Sequence, residues 1–311
     1  MLKSGLREGD EHESHAANIP HLVAPLLTPF NNDLSIATDL YGEHAQWLLD
    51  EGCAGLVPFG TTGEALSVGM DERLEAIRAL VDSGIDSACL IPGTGVSNFT
   101  DTARLSRACL DLGCAAVMVL PPFYYKSVTD EGLFAYFSEL INRIGPDARI
   151  YLYHIPPIAV VGFSIELVAR LREAYPEQIV GIKDSSGDWN NTRALLDLDG
   201  LAVYPGSELP LIDALRLGAQ GCITATANTN AAAIAETIRL YQAGDVVKAA
   251  ELHADVTRYR LTLLEKHAPI PAQKRLLAMR SGDARWATVR PPLTSMSEQT
   301  GQSLADLLAR I

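Results

Sequence analysis

A chain of 311 residues fits either two domains of about 150 residues or one α/β barrel of about 250 with an extension. It carries 25 Lys and Arg against 38 Asp and Glu, a net charge of −13, which argues against a nucleic-acid binder that neutralises phosphates. At 48% hydrophobic and 20% charged residues it is no disordered polymer, and its longest apolar run, Cys114 to Tyr125, holds two prolines and falls short of the ~20 residues of a membrane helix.

Only six of the 25 cations are lysines: Lys3, Lys126, Lys183, Lys248, Lys266 and Lys274. The five cysteines are scattered without a C-x-x-C pair and read as reduced, mostly buried thiols of a cytoplasmic protein. Residues 1–18 are polar, lack periodicity and have no apolar core of a secretory signal, so they are expected as a disordered tail. His12 and His15 lie in that tail, where no fixed geometry would hold a metal.

From residue 20 short apolar runs recur in order: 21–27, 55–60, 87–93, 115–122, 149–156, 178–184, 201–207 and 221–226. Each is too short and too continuously apolar for a surface helix, which suits parallel strands buried on both faces. Helical patterns lie between them. DERLEAIRALVDSG carries Leu74, Ile77, Leu80 and Val81 on one face and stops at Gly84. TDTARLSRACLDLG opens at a Thr100 N-cap, and SIELVARLREAYP runs from a Ser164 cap to Pro176.

Eight strand–helix units over 19–244 predict a (β/α)₈ TIM barrel rather than an open sheet, and residues 245–311 predict a C-terminal helical extension. A doubly wound fold is the alternative, but no G-x-G-x-x-G or Walker sequence is present.

In such a barrel, chemistry belongs at the C-terminal strand ends. Lys183 ends the sixth run, whereas the other five lysines lie in the tail, in a loop or on helical segments. Partial desolvation there would favour the neutral amine, a nucleophile toward carbonyls. The alternative is a rim lysine paired with Asp184 or Glu208. Tyr153 ends the preceding run, one strand spacing of roughly 4.8 Å away, and is either a proton relay or a core aromatic. Gly60-Thr61-Thr62-Gly63-Glu64 is either a cradle for a carboxylate or a plain turn. Tyr124 and Tyr125 line a pocket or pack an interface, and His154, alternating away from Tyr153, reads as structural. No H-E-x-x-H, metal-ligand spacing or G-x-S-x-G is present, which disfavours a metal- or serine-dependent hydrolase.

GTTGE (60–64), PPFYYKSVTDEG (121–132), YHIP (153–156), GIKD (181–184), PGS (205–207) and ITATAN (223–228) together resemble the dihydrodipicolinate synthase/N-acetylneuraminate lyase family, over about residues 20–300. The resemblance implies a class I lyase or aldolase, a homotetramer or homodimer, that binds small 2-oxo acids and needs no cofactor beyond a lysine imine. It implies Lys183 as the Schiff-base residue, Tyr153 as proton shuttle, and Thr61 linking Tyr153 to Tyr125, which would reach a neighbouring subunit's site. It places Thr61 and Thr62 on the pyruvyl carboxylate, with Gly206 and Ile223 flanking the substrate. Lysine-pathway synthases of the family carry an arginine where this chain aligns Ile158, and His154 stands in place of the usual Asn. An isoleucine offers no bidentate fork, so the substrate expected is a 2-oxo-3-deoxy sugar acid or hydroxy-2-oxo acid. A genuine 4-hydroxy-tetrahydrodipicolinate synthase, joining pyruvate to aspartate semialdehyde, is the alternative. A catalytically silent 2-oxo-acid binding protein is the alternative of another class.

Overall fold

The computed structural model describes residues 22–311, so the expected tail and its His12 and His15 lie outside the described residues. The described residues form seven short strands in order: β1 (Leu22–Pro25), β2 (Gly55–Val57), β3 (Val117–Val119), β4 (Ile150–His154), β5 (Ile179–Asp184), β6 (Ala202–Pro205) and β7 (Cys222–Ile223). Among the described residues twelve α-helices accompany them. Those from the barrel are α1 (Thr38–Asp50), α2 (Met70–Asp82), α3 (Phe99–Asp111), α4 (Asp130–Ile144), α5 (Pro156–Ala159), α6 (Ile165–Ala174), α7 (Trp189–Leu196), α8 (Leu211–Arg216) and α9 (Ala227–Gln242). The last three are α10 (Val246–Leu264), α11 (Pro269–Ser281) and α12 (Glu298–Leu308).

All strand pairs are parallel, in two arcs ordered β2-β1-β7 and β3-β4-β5-β6. The expected third strand, 87–93, differs from the other staves. It begins as a 3₁₀ turn, Ser87–Cys89, and continues as an extended stretch tied by single bridges. Ile91 N donates to Leu56 O (2.8 Å), and Met118 N donates to Pro92 O (2.8 Å). Pro92 has no N–H to give, which interrupts a continuous ladder at that stave. The other seam, between β6 and β7, is spanned by Gln220 N donating to Val203 O at 3.3 Å. The wall closes as a (β/α)₈ barrel.

Alternate strand residues bury in two directions. Val23, Val57, Met118, Tyr151, Tyr204 and Ile223 fill the barrel interior. Ala24, Leu56, Leu152, Ile182 and Val203 pack outward under the helices. This two-sided burial explains why the strands read as continuous apolar runs. Helix α6 takes its Ser164 cap as expected, while α3 is capped two residues earlier than Thr100, by Asn98, whose Oδ1 accepts from Asp101 N (2.8 Å). Among the described residues no helix is long and apolar enough to cross a membrane, and all five cysteines are free.

One buried amide ties the start of the barrel to its end. Asn228 Oδ1 accepts from Leu27 N (3.1 Å) and from His44 Nε2 (2.9 Å). Its Nδ2 donates to Pro25 O and Ala225 O, both at 2.9 Å. His44 must therefore carry its proton on Nε2, and burial pulls its pKa down to about 4. Because the unfolded chain takes up that proton near pH 6.5, stability is full above 6.5 and is lost as pH falls toward 4. The loss from this group should approach about 3 kcal/mol, and the urea midpoint measured from pH 7 to pH 4 should fall accordingly, less steeply in His44→Gln.

Candidate active site

Register in the β4–β5 pair sets Tyr153 opposite Lys183. Ile182 packs outward, so Lys183 turns inward, where it is only 5% exposed. Its Nζ lies 4.6 Å from the centroid of the Tyr153 ring. Neither carboxylate offered by the sequence pairs with it. Asp184 accepts from Thr192 Oγ1 (2.7 Å), Asn191 Nδ2 (3.1 Å) and Ser186 N (2.9 Å). Glu208 accepts from the Thr224 and Thr226 hydroxyls and from Arg260 Nη1 (3.0 Å). Among the described residues Lys183 makes no ion pair.

Tyr153 Oη stands 3.2 Å from Thr61 Oγ1, within the turn after β2. Three contacts hold that turn. Thr28 Oγ1 donates to Gly63 O (2.8 Å), Arg290 N donates to Glu64 Oε2 (3.1 Å), and Lys274 Nζ donates to Glu64 Oε1 (2.5 Å). Glu64 adopts a left-handed φ of 54°, and both charged side chains of the Glu64–Lys274 pair are fully buried. Lys274 is thus a second buried lysine on a helical segment, with its ammonium 4.4 Å from the Phe30 centroid. Burial pulls its pKa down to about 8, against the pull of Glu64. It is engaged, and Lys183 is not.

A cavity of about 710 Å³ opens above these groups. Thr61, Thr62, Tyr153, Lys183, Gly206 and Ile158 all stand on its wall, the last 61% exposed on α5. Gly206 is required there, since an added Cβ would lie 2.0 Å from Ser185 Oγ. Two expected site residues are elsewhere. Ile223 is wholly buried among the barrel's interior side chains, below the rim, and Ala225 two residues on lines the cavity instead. Tyr125 is 73% exposed on the excursion between β3 and α4, stacked edge-on to Tyr124. Within the described chain Thr61 reaches Tyr153 but makes no hydrogen bond to Tyr125.

His154 turns away from the cavity, and its Nδ1 accepts from Phe163 N (2.9 Å). Burial lowers its pKa, consistent with a neutral structural ring. Among the described residues no group of three His, Cys, Asp or Glu side chains could hold a metal ion.

The far wall was not read from the sequence. Trp189 of α7, Arg260 and Leu264 of α10, and residues 268–271 at the start of α11 all line the cavity. The expected helical extension is therefore part of the site. A signal for Arg260 was present: it falls at helical spacing with Ala249, Val256 and Leu263, the buried residues of α10.

The Dihydrodipicolinate synthetase family model matches residues 18–311. The chain belongs to that family. An uncharacterized DapA-like lyase of Chloroflexus aurantiacus is 32% identical over 292 residues, covering 93% of this chain and 96% of that protein. The crystal structure of dihydrodipicolinate synthase from Agrobacterium tumefaciens str. C58 superposes with a TM-score of 0.85 at 35% identity, over 93% of this chain and 98% of the other. That of the chloride-inhibited dihydrodipicolinate synthase from Acinetobacter baumannii, complexed with pyruvate, gives 0.84 at 30% identity, over 94% and 98%. The family member is accordingly a lyase on a TIM barrel.

Removing one partner of the Glu64–Lys274 pair strands a buried charge. Lys274→Met should destabilise by about 3–5 kcal/mol, and Glu64→Gln/Lys274→Met by clearly less, as read from urea unfolding.

Proposed function

We propose that this protein is a Schiff-base-forming lyase or aldolase that acts on pyruvate or a related 2-oxo acid. The observation that carries the reading is the Lys183 amine, facing a cavity without an ion pair, beside Tyr153 and Thr61. The Acinetobacter baumannii relative complexed with pyruvate supports it.

Lys183 Nζ adds to the C2 carbonyl, and the resulting carbinolamine loses water to leave an iminium. Tyr153, hydrogen-bonded to Thr61, delivers the proton that departs with the hydroxyl. Thr61 and Thr62 receive the carboxylate of the 2-oxo acid. Loss of a C3 proton turns the iminium into an enamine. Its electron pair forms a bond to an aldehyde carbon, whose oxygen takes up a proton. Hydrolysis then releases a 4-hydroxy-2-oxo acid and restores the amine. Run backward, the same steps cleave such an acid. The imine is the electron sink, so the reaction calls for no further cofactor.

Ile158 on the cavity wall offers no guanidinium, which favours a 2-oxo-3-deoxy sugar acid or hydroxy-2-oxo acid over the aspartate semialdehyde of a genuine synthase. The exposed Tyr124–Tyr125 pair suits a homotetramer or homodimer in which Tyr125 enters a neighbour's site, and the composition suits the cytoplasm.

Borohydride reduction in the presence of pyruvate should leave a stable mass adduct on Lys183, and none on the folded wild-type protein would overturn the reading. A silent binding protein would instead show pyruvate-dependent thermal stabilisation that survives Lys183→Ala. Tyr153→Phe keeps the ring and loses the hydroxyl, and should lower turnover of the cleaved substrate by roughly 10²–10⁴-fold with the melting temperature preserved.

A further inference from the structure

Among the described residues one cation besides Lys183 lines the cavity: Arg260 of α10, whose anchor after β7 lies two staves round the barrel from the Thr61–Thr62 turn after β2. One end of its guanidinium is fixed. Nη1 donates to Glu208 Oε2 (3.0 Å) and to Thr224 Oγ1 (3.1 Å). Glu208 is itself fully buried and bonded to the Thr224 and Thr226 hydroxyls, while its backbone carbonyl lies 2.7 Å from His253 Nε2. The anchor is therefore rigid.

The other edge, Nε with Nη2, has no hydrogen-bond partner among the described residues, and the side chain keeps 17% of its surface open. A guanidinium held at one end and open along its other edge is a preorganised bidentate fork for a carboxylate. Thr224 follows β7, two staves from the Lys183 strand, which places the anchor roughly 10 Å away around the barrel. A three-carbon 2-oxo acid on Lys183 leaves most of the 710 Å³ cavity, whose wall includes Arg260, unfilled. Two acids also line the cavity. Asp184 is saturated by its three donors, and Asp188 caps α7 through Asn190 N (2.9 Å).

We infer that Arg260 binds a second carboxylate, at the far end of the substrate, and that the lyase takes a dicarboxylic 2-oxo acid or its acidic fragment. This deepens the proposed Schiff-base reading and rests on it for the placement of the 2-oxo end. It narrows the substrates of that reading to hydroxy-2-oxo acids ending in an acid, sets aside sugar acids with a neutral far end, and removes the objection that Ile158 raises to an acidic aldehyde. The carboxylate site absent at Ile158 is supplied from the C-terminal helices.

The test compares 2-oxoadipate with 2-oxohexanoate, which differ at the distal end only. Calorimetric affinity and borohydride trapping are read on each. The wild type should bind 2-oxoadipate more tightly by roughly tenfold or more. Arg260→Gln leaves Glu208 buried and unpaired, so the informative variants are Arg260→Lys, which keeps the charge and loses the fork, and the neutral pair Arg260→Gln/Glu208→Gln. Arg260→Lys should shrink the preference and the double variant should abolish it, through weaker 2-oxoadipate binding. Equal affinities in the wild type, or a preference that survives the double variant, would overturn the inference. Arg260-dependent binding of 2-oxoadipate without any trapped imine would overturn the Schiff-base reading and leave the Arg260 site standing.

Discussion

Glu64 buries a carboxylate completely, and Lys274, more than two hundred residues later, meets it there. The attraction offsets a desolvation penalty of several kcal/mol per ion only because the geometry is good and a further donor, Arg290 N, takes the other oxygen. The consequence is positional. Glu64 is the last residue of the turn that carries Thr61 and Thr62, and Thr61 in turn meets Tyr153. A buried charge pair has one acceptable arrangement, so the turn is held in one register against the strands beneath it. The C-terminal helices fix the active-site mouth from behind as well as lining it from above.

This changes the meaning of the lysine shortage. Among the described residues two lysines are buried, and burial alone does not separate them. What separates them is the partner. Lys274 spends its ammonium on Glu64, while Asp184 and Glu208 are bonded to threonines, an asparagine and an arginine. The amine facing the cavity is left without an ion pair among the described residues because Asp184 and Glu208 are engaged elsewhere.

The barrel was legible in the sequence because parallel strands buried on both faces leave unbroken apolar runs. The one run that reads well and pairs poorly, 87–93, carries a proline that cannot join a ladder. Lys183 and Tyr153 were legible because residues at neighbouring strand ends meet through register, which depends only on local spacing. Tyr125 and Ile223 were less so. Whether a residue stands on a cavity wall or just below it depends on strand length, and whether a loop folds over the mouth depends on what surrounds the chain. Arg260 was visible in principle, as a cation on a buried helical stripe. The partner it meets, Glu208, lies 52 residues away in sequence and could not be named from α10 alone.

Asn228 makes four hydrogen bonds from one amide, to β1 and the residues just after it, to α1 and to the loop after β7. Its oxygen takes two donors and its nitrogen supplies two carbonyls, so neither half can be released separately. The first strand and the last, some 201 residues apart at this contact, therefore form one cooperative unit. A barrel opened at that seam by thermal motion would have to give up α1 at the same moment. The ends of the barrel, ordinarily where fraying begins, are here tied to each other and to α1 by a single buried side chain.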